Sequence, residues 1–146
     1  MAYTWKTPLF KVDAQTAGEE LDRIYSETGK IEPKEVVNRS RAENAPLHPC
    51  FDWNDATAAE KYRESQAATI IRNIVVVSET HEEPKNVRAF VSVQQTYQPM
   101  RVVVQDPVKM DELLSCALRE LKCFEAKYKA LEELQPVFDV IEKVTA

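Results

Sequence analysis

In the stretch Asn73-Ile74-Val75-Val76-Val77-Ser78 the pattern of this sequence changes from helical to strand-like. Before it, apolar residues recur every three or four positions. After it, valine-rich runs are bounded by turn residues. The segments 74–78, 87–94 and 100–105 are the predicted strands. Within the second, Val87, Ala89, Val91 and Val93 alternate on one side, with Phe90 falling between them. The links 81–85 and 95–99 are short enough for an antiparallel meander. Three strands need a cover on one face, and the flanking helices can supply it. The expected fold class is therefore α+β: N-terminal helices and a three-stranded antiparallel sheet covered by long C-terminal helices. A chain of 146 residues reads as a single domain. Its expected parts are an extended tail over 1–12, a helical part over 13–72, the sheet over 73–105 and the C-terminal helices over 106–146.

Upstream of the switch, 56–71 reads as a helix. Asn54 or Asp55 is placed to cap it; Ala59, Tyr62, Gln66 and Ile70 share one stripe, with Ala67 and Ile71 beside it. Phe51 and Trp53 precede the cap and are positioned to staple the first turn. The stretch 45–52 reads as a loop, because Pro46 and Pro49 hold the residues before them out of helical geometry. Further back, 14–28 is a predicted helix capped by Asp13. Ala17, Leu21, Ile24 and Tyr25 recur at helical spacing, and Gly29 stands at the C′ position. Pro33 opens a second, short helix that turns Val36 and Val37 inward and ends before Pro46.

Downstream, Asp106 and Pro107 mark the start of the longest helix. Met110, Leu114, Ala117, Leu121, Phe124, Tyr128 and Leu131 then follow a three–four spacing close to a heptad seam. Glu125 and Lys129 are four apart, in the orientation of a helix-surface ion pair. Pro136 interrupts the run, since an interior proline removes a hydrogen bond and clashes with the preceding turn. Val137, Phe138, Val140, Ile141 and Val144 continue an apolar pattern on a shifted face. Two helical pieces are expected, the second either packing back or pairing with a partner.

Composition narrows the chemistry. Gly18 and Gly29 are the only glycines, which argues against a phosphate-cradling loop and against a turn-rich barrel or sandwich. A net charge of −5 favours solubility and disfavours sequence-independent binding to phosphate backbones. The first residues lack the apolar core of a signal peptide, and no apolar run approaches the roughly 20 residues needed to span a bilayer. Cys50, Cys116 and Cys123 form an odd, sparse set and read as reduced thiols in a cytoplasmic setting.

Metal binding and nucleophilic catalysis both look first to His48 and Cys50. One residue separates them, an awkward spacing for two ligands and a poor alignment for proton transfer. Cys116 and Cys123 lie seven apart without any CxxC or HxxxH pair. The acidic pairs Glu19-Glu20, Glu82-Glu83 and Glu132-Glu133 lack apolar surroundings that would raise a carboxyl pKa. No catalytic residue, cofactor or metal is expected. The helix pair joined at Gly29 has the outline of a helix-turn-helix, with Lys34, Arg39 and Arg41 as candidate nucleic-acid contacts. Tyr25 occupies the usual small-residue position, and Glu32, Glu35 and Glu43 dilute the charge. Trp5, Phe10, Phe51 and Trp53 read as core aromatics that could alternatively line a partner site.

The segment Pro46-Leu47-His48-Pro49-Cys50-Phe51-Asp52-Trp53-Asn54-Asp55, followed by Ala58-Ala59, Tyr62-Arg63 and Gln66-Ala67, resembles a group of uncharacterised prophage proteins. Val87-Arg88-Ala89-Phe90-Val91 and the final helix through Leu131-Glu132-Glu133-Leu134 extend the likeness from about Ile31 onward. The resemblance implies a bacteriophage or mobile-element origin in a bacterial cytoplasm and transfers no activity. The same segment read on its own is a structural corner at the entry to the third helix.

The expected function is that of a non-enzymatic phage-derived protein acting through protein–protein contacts, as a homo-oligomer or with another phage or host protein. Leu114, Leu121, Phe124, Tyr128 and Phe138 are the candidate partner-binding residues. The alternative is a DNA-associated accessory protein using the helix pair before Ala45. Neither reading involves a membrane.

Overall fold

A computed structural model describes residues 1–55, 59–77 and 86–146. They form an α+β fold divided into two compact units, Met1–Val103 and Val104–Ala146, where the chain length had suggested one domain. The expected start of the third helix over 56–58 and the link over 81–85 lie outside the described residues.

The first unit is built around α1 (Ala14–Thr28), α2 (Pro33–Arg39) and α3 (Ala59–Asn73). Both ends of α1 follow from local chemistry. Asp13 accepts from the Thr16 amide at 2.9 Å, and Gly29 takes the left-handed conformation (φ 77°) that lets its N–H reach the Tyr25 carbonyl. Leu21 and Ile24 of α1, Val36 and Val37 of α2, and Ala67, Ile70 and Ile71 of α3 are fully buried together with Ile31, Ile74 and Phe90. Each large aliphatic side chain in this cluster contributes about 1.5–3 kcal/mol of transfer free energy. α3 turns Arg63, not Tyr62, toward this core; Tyr62 is exposed.

Residues 1–12, expected as a tail, contain β1 (Tyr3–Trp5), which pairs antiparallel with β2 (Ile74–Val77). Two side-chain amides hold this segment in place. Gln15 of α1 accepts from the Tyr3 amide at 3.0 Å and donates to the Met1 carbonyl at 2.8 Å, so it fills the outer edge of β1 as a further strand would. Asn73 grips the backbone of Thr7 in the same way, accepting from its N–H at 3.0 Å and donating to its C=O at 2.6 Å. The close approach of β1 to α1 requires Gly18, where a Cβ would lie 2.4 Å from the Tyr3 ring.

β3 (Asn86–Arg88) completes a sheet of order β1-β2-β3. The single strand expected over 87–94 is broken at Ala89, and β4 (Phe90–Val93) belongs to a separate ribbon with β5 (Thr96–Pro99). Ala89, Phe90 and Val91 are all buried, which a straight strand with one covered face cannot achieve. Ala89 serves both sides of the bend, donating to Ile74 and accepting from Met100. A two-residue turn, Gln94-Gln95, joins β4 to β5 with both residues at positive φ (55° and 67°). The third expected strand, over 100–105, is instead a helical turn, α4 (Met100–Val103). Burial of Val103 and an ion pair between Arg101 and Asp22 outweigh the strand preference of the valine run.

The second unit contains α5 (Pro107–Tyr128) and α6 (Gln135–Thr145), linked through a single 3-10 turn at Glu132–Leu134. Asp106 caps α5 by accepting from the Val108 and Lys109 amides. Pro136 lies in the first turn of α6, where its fixed φ is accommodated; the chain leaves helical geometry before it, at Leu131. The second piece packs back on the first.

Candidate interaction surface

The 11 residues of α6 run antiparallel to the last turns of the 22-residue α5. Phe124 meets Phe138 with ring centroids 6.3 Å apart, and Lys122 reaches Glu142 at 3.3 Å. Helices rise equally per residue, so this pairing brings the end of α6 level with Ala117 to Arg119. The half of α5 from Pro107 to that level has no α6 beside it.

Lys122 and Phe124 are two residues apart, about 200° around the helix, so their contacts to α6 flank the seam on opposite sides. The Lys122 flank is polar. Its ammonium lies 3.7 Å from Glu125 and 3.3 Å from Glu142. A hydrogen bond to Glu142, aided by burial, holds the Glu125 carboxyl above the usual carboxylate range, while Glu142 is held below it by the same bond and by Lys122. The ion pair that Glu125 makes is thus with Lys122, one turn back, and not with Lys129 as its spacing suggested.

The Phe124 flank is apolar and open. Met110, Leu114, Leu121 and Phe124 are exposed along α5, with Leu114 at 50%. On α6, Phe138 and Ile141 fill the seam, leaving Val137, Val140 and Val144 as a second stripe, Val140 at 56%. Of the five candidate partner contacts, Leu114, Leu121 and Phe124 are exposed and Tyr128 is half-buried. Phe138 is the exception: at 2% exposure it is spent inside the hairpin and presents nothing to a partner. Val137, Val140 and Val144, part of the same apolar pattern but not among those five candidates, are the α6 residues left exposed. α6 carries two apolar stripes, and only the contact with α5 decides which one remains open.

The candidate nucleic-acid residues are mostly engaged. Arg39 bonds to both Glu27 and Glu35, and Arg41 to Glu60. Lys34 borders an open groove of about 570 Å³ that also carries Glu32, Lys61 and Glu64, so its charge is locally offset.

The segment around Trp53 is a packed corner. The His48 ring stacks on Trp53 at 5.0 Å, and His48 Nδ1 lies 2.8 Å from the Ser40 carbonyl. Trp53 donates through its indole N–H to the His48 carbonyl at 2.8 Å. Arg63, 2% exposed, donates to the Asp52 carbonyl at 2.7 Å and bonds to Asp55 at 2.9 Å and Glu60 at 3.2 Å. Cys50 is buried, which pushes its thiol up to about 11 and disfavours the thiolate a nucleophile requires. Cys116 is half-buried and Cys123 exposed; seven residues apart, they share one face of α5, turned away from the apolar stripe.

An open cavity of about 550 Å³ lies beside Met1, Gln15 and Val77; another, of about 200 Å³, is lined by Met1, Tyr3, Val76, Val87, Met100 and Arg101 among others. The latter is smaller than the roughly 300 Å³ at which small-molecule sites begin. Among the described residues no cluster of His, Cys, Asp or Glu has the grouping of a metal site, and no helix is long and apolar enough to cross a membrane. No family model, curated protein or solved structure matches this chain.

Proposed function

We propose that this chain is a non-enzymatic interaction protein of phage origin that self-associates through its C-terminal helical hairpin. The observation that carries the reading is the pair of exposed apolar stripes on α5 and α6, beside a seam already filled by Phe138 and Ile141. A contiguous apolar face rimmed by charge is a feature of association surfaces. The likeness of residues 46–67 to prophage proteins supports the origin, and with it a location in a bacterial cytoplasm. DNA contact draws less support, because Arg39 and Arg41 already have carboxylate partners.

The test is size-exclusion chromatography with light scattering over a concentration series. The expected mass is above that of one chain, falling to one chain in Leu114→Glu while helical content is retained. A single-chain mass at the highest attainable concentration overturns the reading.

A further inference from the structure

We infer that the occupant of the open face is a second copy of the hairpin, docked antiparallel across a two-fold axis at Ala117. This rests on the self-association reading and adds the geometry of the partner.

Three observations converge on it. The first is a symmetry within the α5 stripe. Ala117 lies at the middle of the Pro107–Tyr128 helix; Met110 and Phe124 are each seven residues from it, and Leu114 and Leu121 are three and four away. An antiparallel second α5 centred on Ala117 therefore sets Met110 against the partner's Phe124 and Leu114 close to the partner's Leu121. The small Ala117 stands where the two backbones come nearest. Such a self-complementary patch is what an isologous interface requires.

The second observation is length. α5 has 22 residues and α6 has 11. These correspond to about 33 Å and about 16 Å at the α-helical rise. In the antiparallel pair, the bare half of each α5 lies beside the half that carries the other copy's α6. Two α6 helices placed end to end then line the full length of the α5 pair. Each α6 would use its two stripes on two chains, Phe138 and Ile141 on its own α5, and Val137, Val140 and Val144 on the second copy. The result has three helices in cross-section along its length, and the Lys122–Glu125–Glu142 flank stays at the outside.

The third observation is area. The exposed parts of these apolar residues amount to roughly 500 Å² per copy. That is in the upper half of the range for the largest patch on a monomer, and with the polar rim around it suits a small to standard interface of up to ~800 Å² per partner. A parallel pairing would bring the two bare halves together and leave no α6 to cover them.

The test is disulfide trapping in full-length chains in which Cys116 and Cys123 are replaced by serine. Ala117→Cys, the least disruptive change, is expected to cross-link to itself. Met110→Cys and Phe124→Cys are expected to give a disulfide-linked dimer as the major product when mixed, and little when oxidised alone. Cross-linking of each variant to itself but not to the other shows a parallel pair; it overturns the inferred geometry while self-association stands. A chain that light scattering shows to be monomeric removes both.

Discussion

The guanidinium of Arg63 lies 4.9 Å from the centre of the Trp53 ring and is almost wholly withdrawn from solvent, with its donors shared among Asp52, Asp55 and Glu60. A planar fork is needed to serve a backbone carbonyl and two carboxylates while stacking on an indole. Arg63→Lys keeps the charge and loses the fork. The expected result is a melting temperature lower by roughly 5–10 °C, with Arg63→Ala no more than slightly worse. Full stability in Arg63→Lys would show that charge alone holds the corner.

At Gly18 the expected outcome is local. A methyl group there meets the Tyr3 ring, so Gly18→Ala should cost about 1–3 kcal/mol and displace β1 from α1. Hydrogen exchange reads this directly: amides of Tyr3–Trp5 lose protection, while those of α2 and α3 keep it.

The β4–β5 turn is strained in a correctable way. Gln94 and Gln95 both sit at positive φ, a conformation suited to Asn-Gly. Gln94→Asn with Gln95→Gly should stabilise the chain by about 1–2 kcal/mol with an unchanged denaturant slope, measured by urea unfolding.

Glu125 gives a pH dependence with a definite sign. Its folded pKa is raised above 4.5, so its contribution is complete at pH below the unfolded value and is lost as pH rises through the folded value. Glu142, shifted the other way, loses its contribution only as pH falls below its ordinary range. Glu125→Gln, which mimics the protonated form, should raise the melting temperature at neutral pH and flatten its decline above pH 4.5. A lower melting temperature across the whole range would show that the carboxyl is preferred there in its charged form.

Features set by neighbouring residues were legible in the sequence. The caps at Asp13, Gly29 and Asp106 depend on residues within one helical turn, and all three hold. Features set by distant partners were not. β1 exists because β2 pairs with it, while Gln15 caps its outer edge and Asn73 anchors Thr7 beyond its end; nothing in residues 1–12 announces partners so far along the chain. The segment 100–105 carries valines enough for a strand, but the place available to it beside Ala89 is a helical turn. On the interaction surface the α5 stripe was readable from spacing alone. That Phe138 turns inward while Val140 stays out is a property of the seam, which spacing on one helix cannot specify.

The Gln15 amide has a further consequence. A sheet whose outer strand shows free N–H and C=O groups can recruit a strand from another molecule, and growth of that kind leads to fibres. Here one side chain terminates the sheet at β1, on a helix that cannot itself propagate pairing. Resistance to misassembly on that edge is thus concentrated in a single amide, and Gln15→Leu would leave the fold's core intact while opening the edge to templated aggregation.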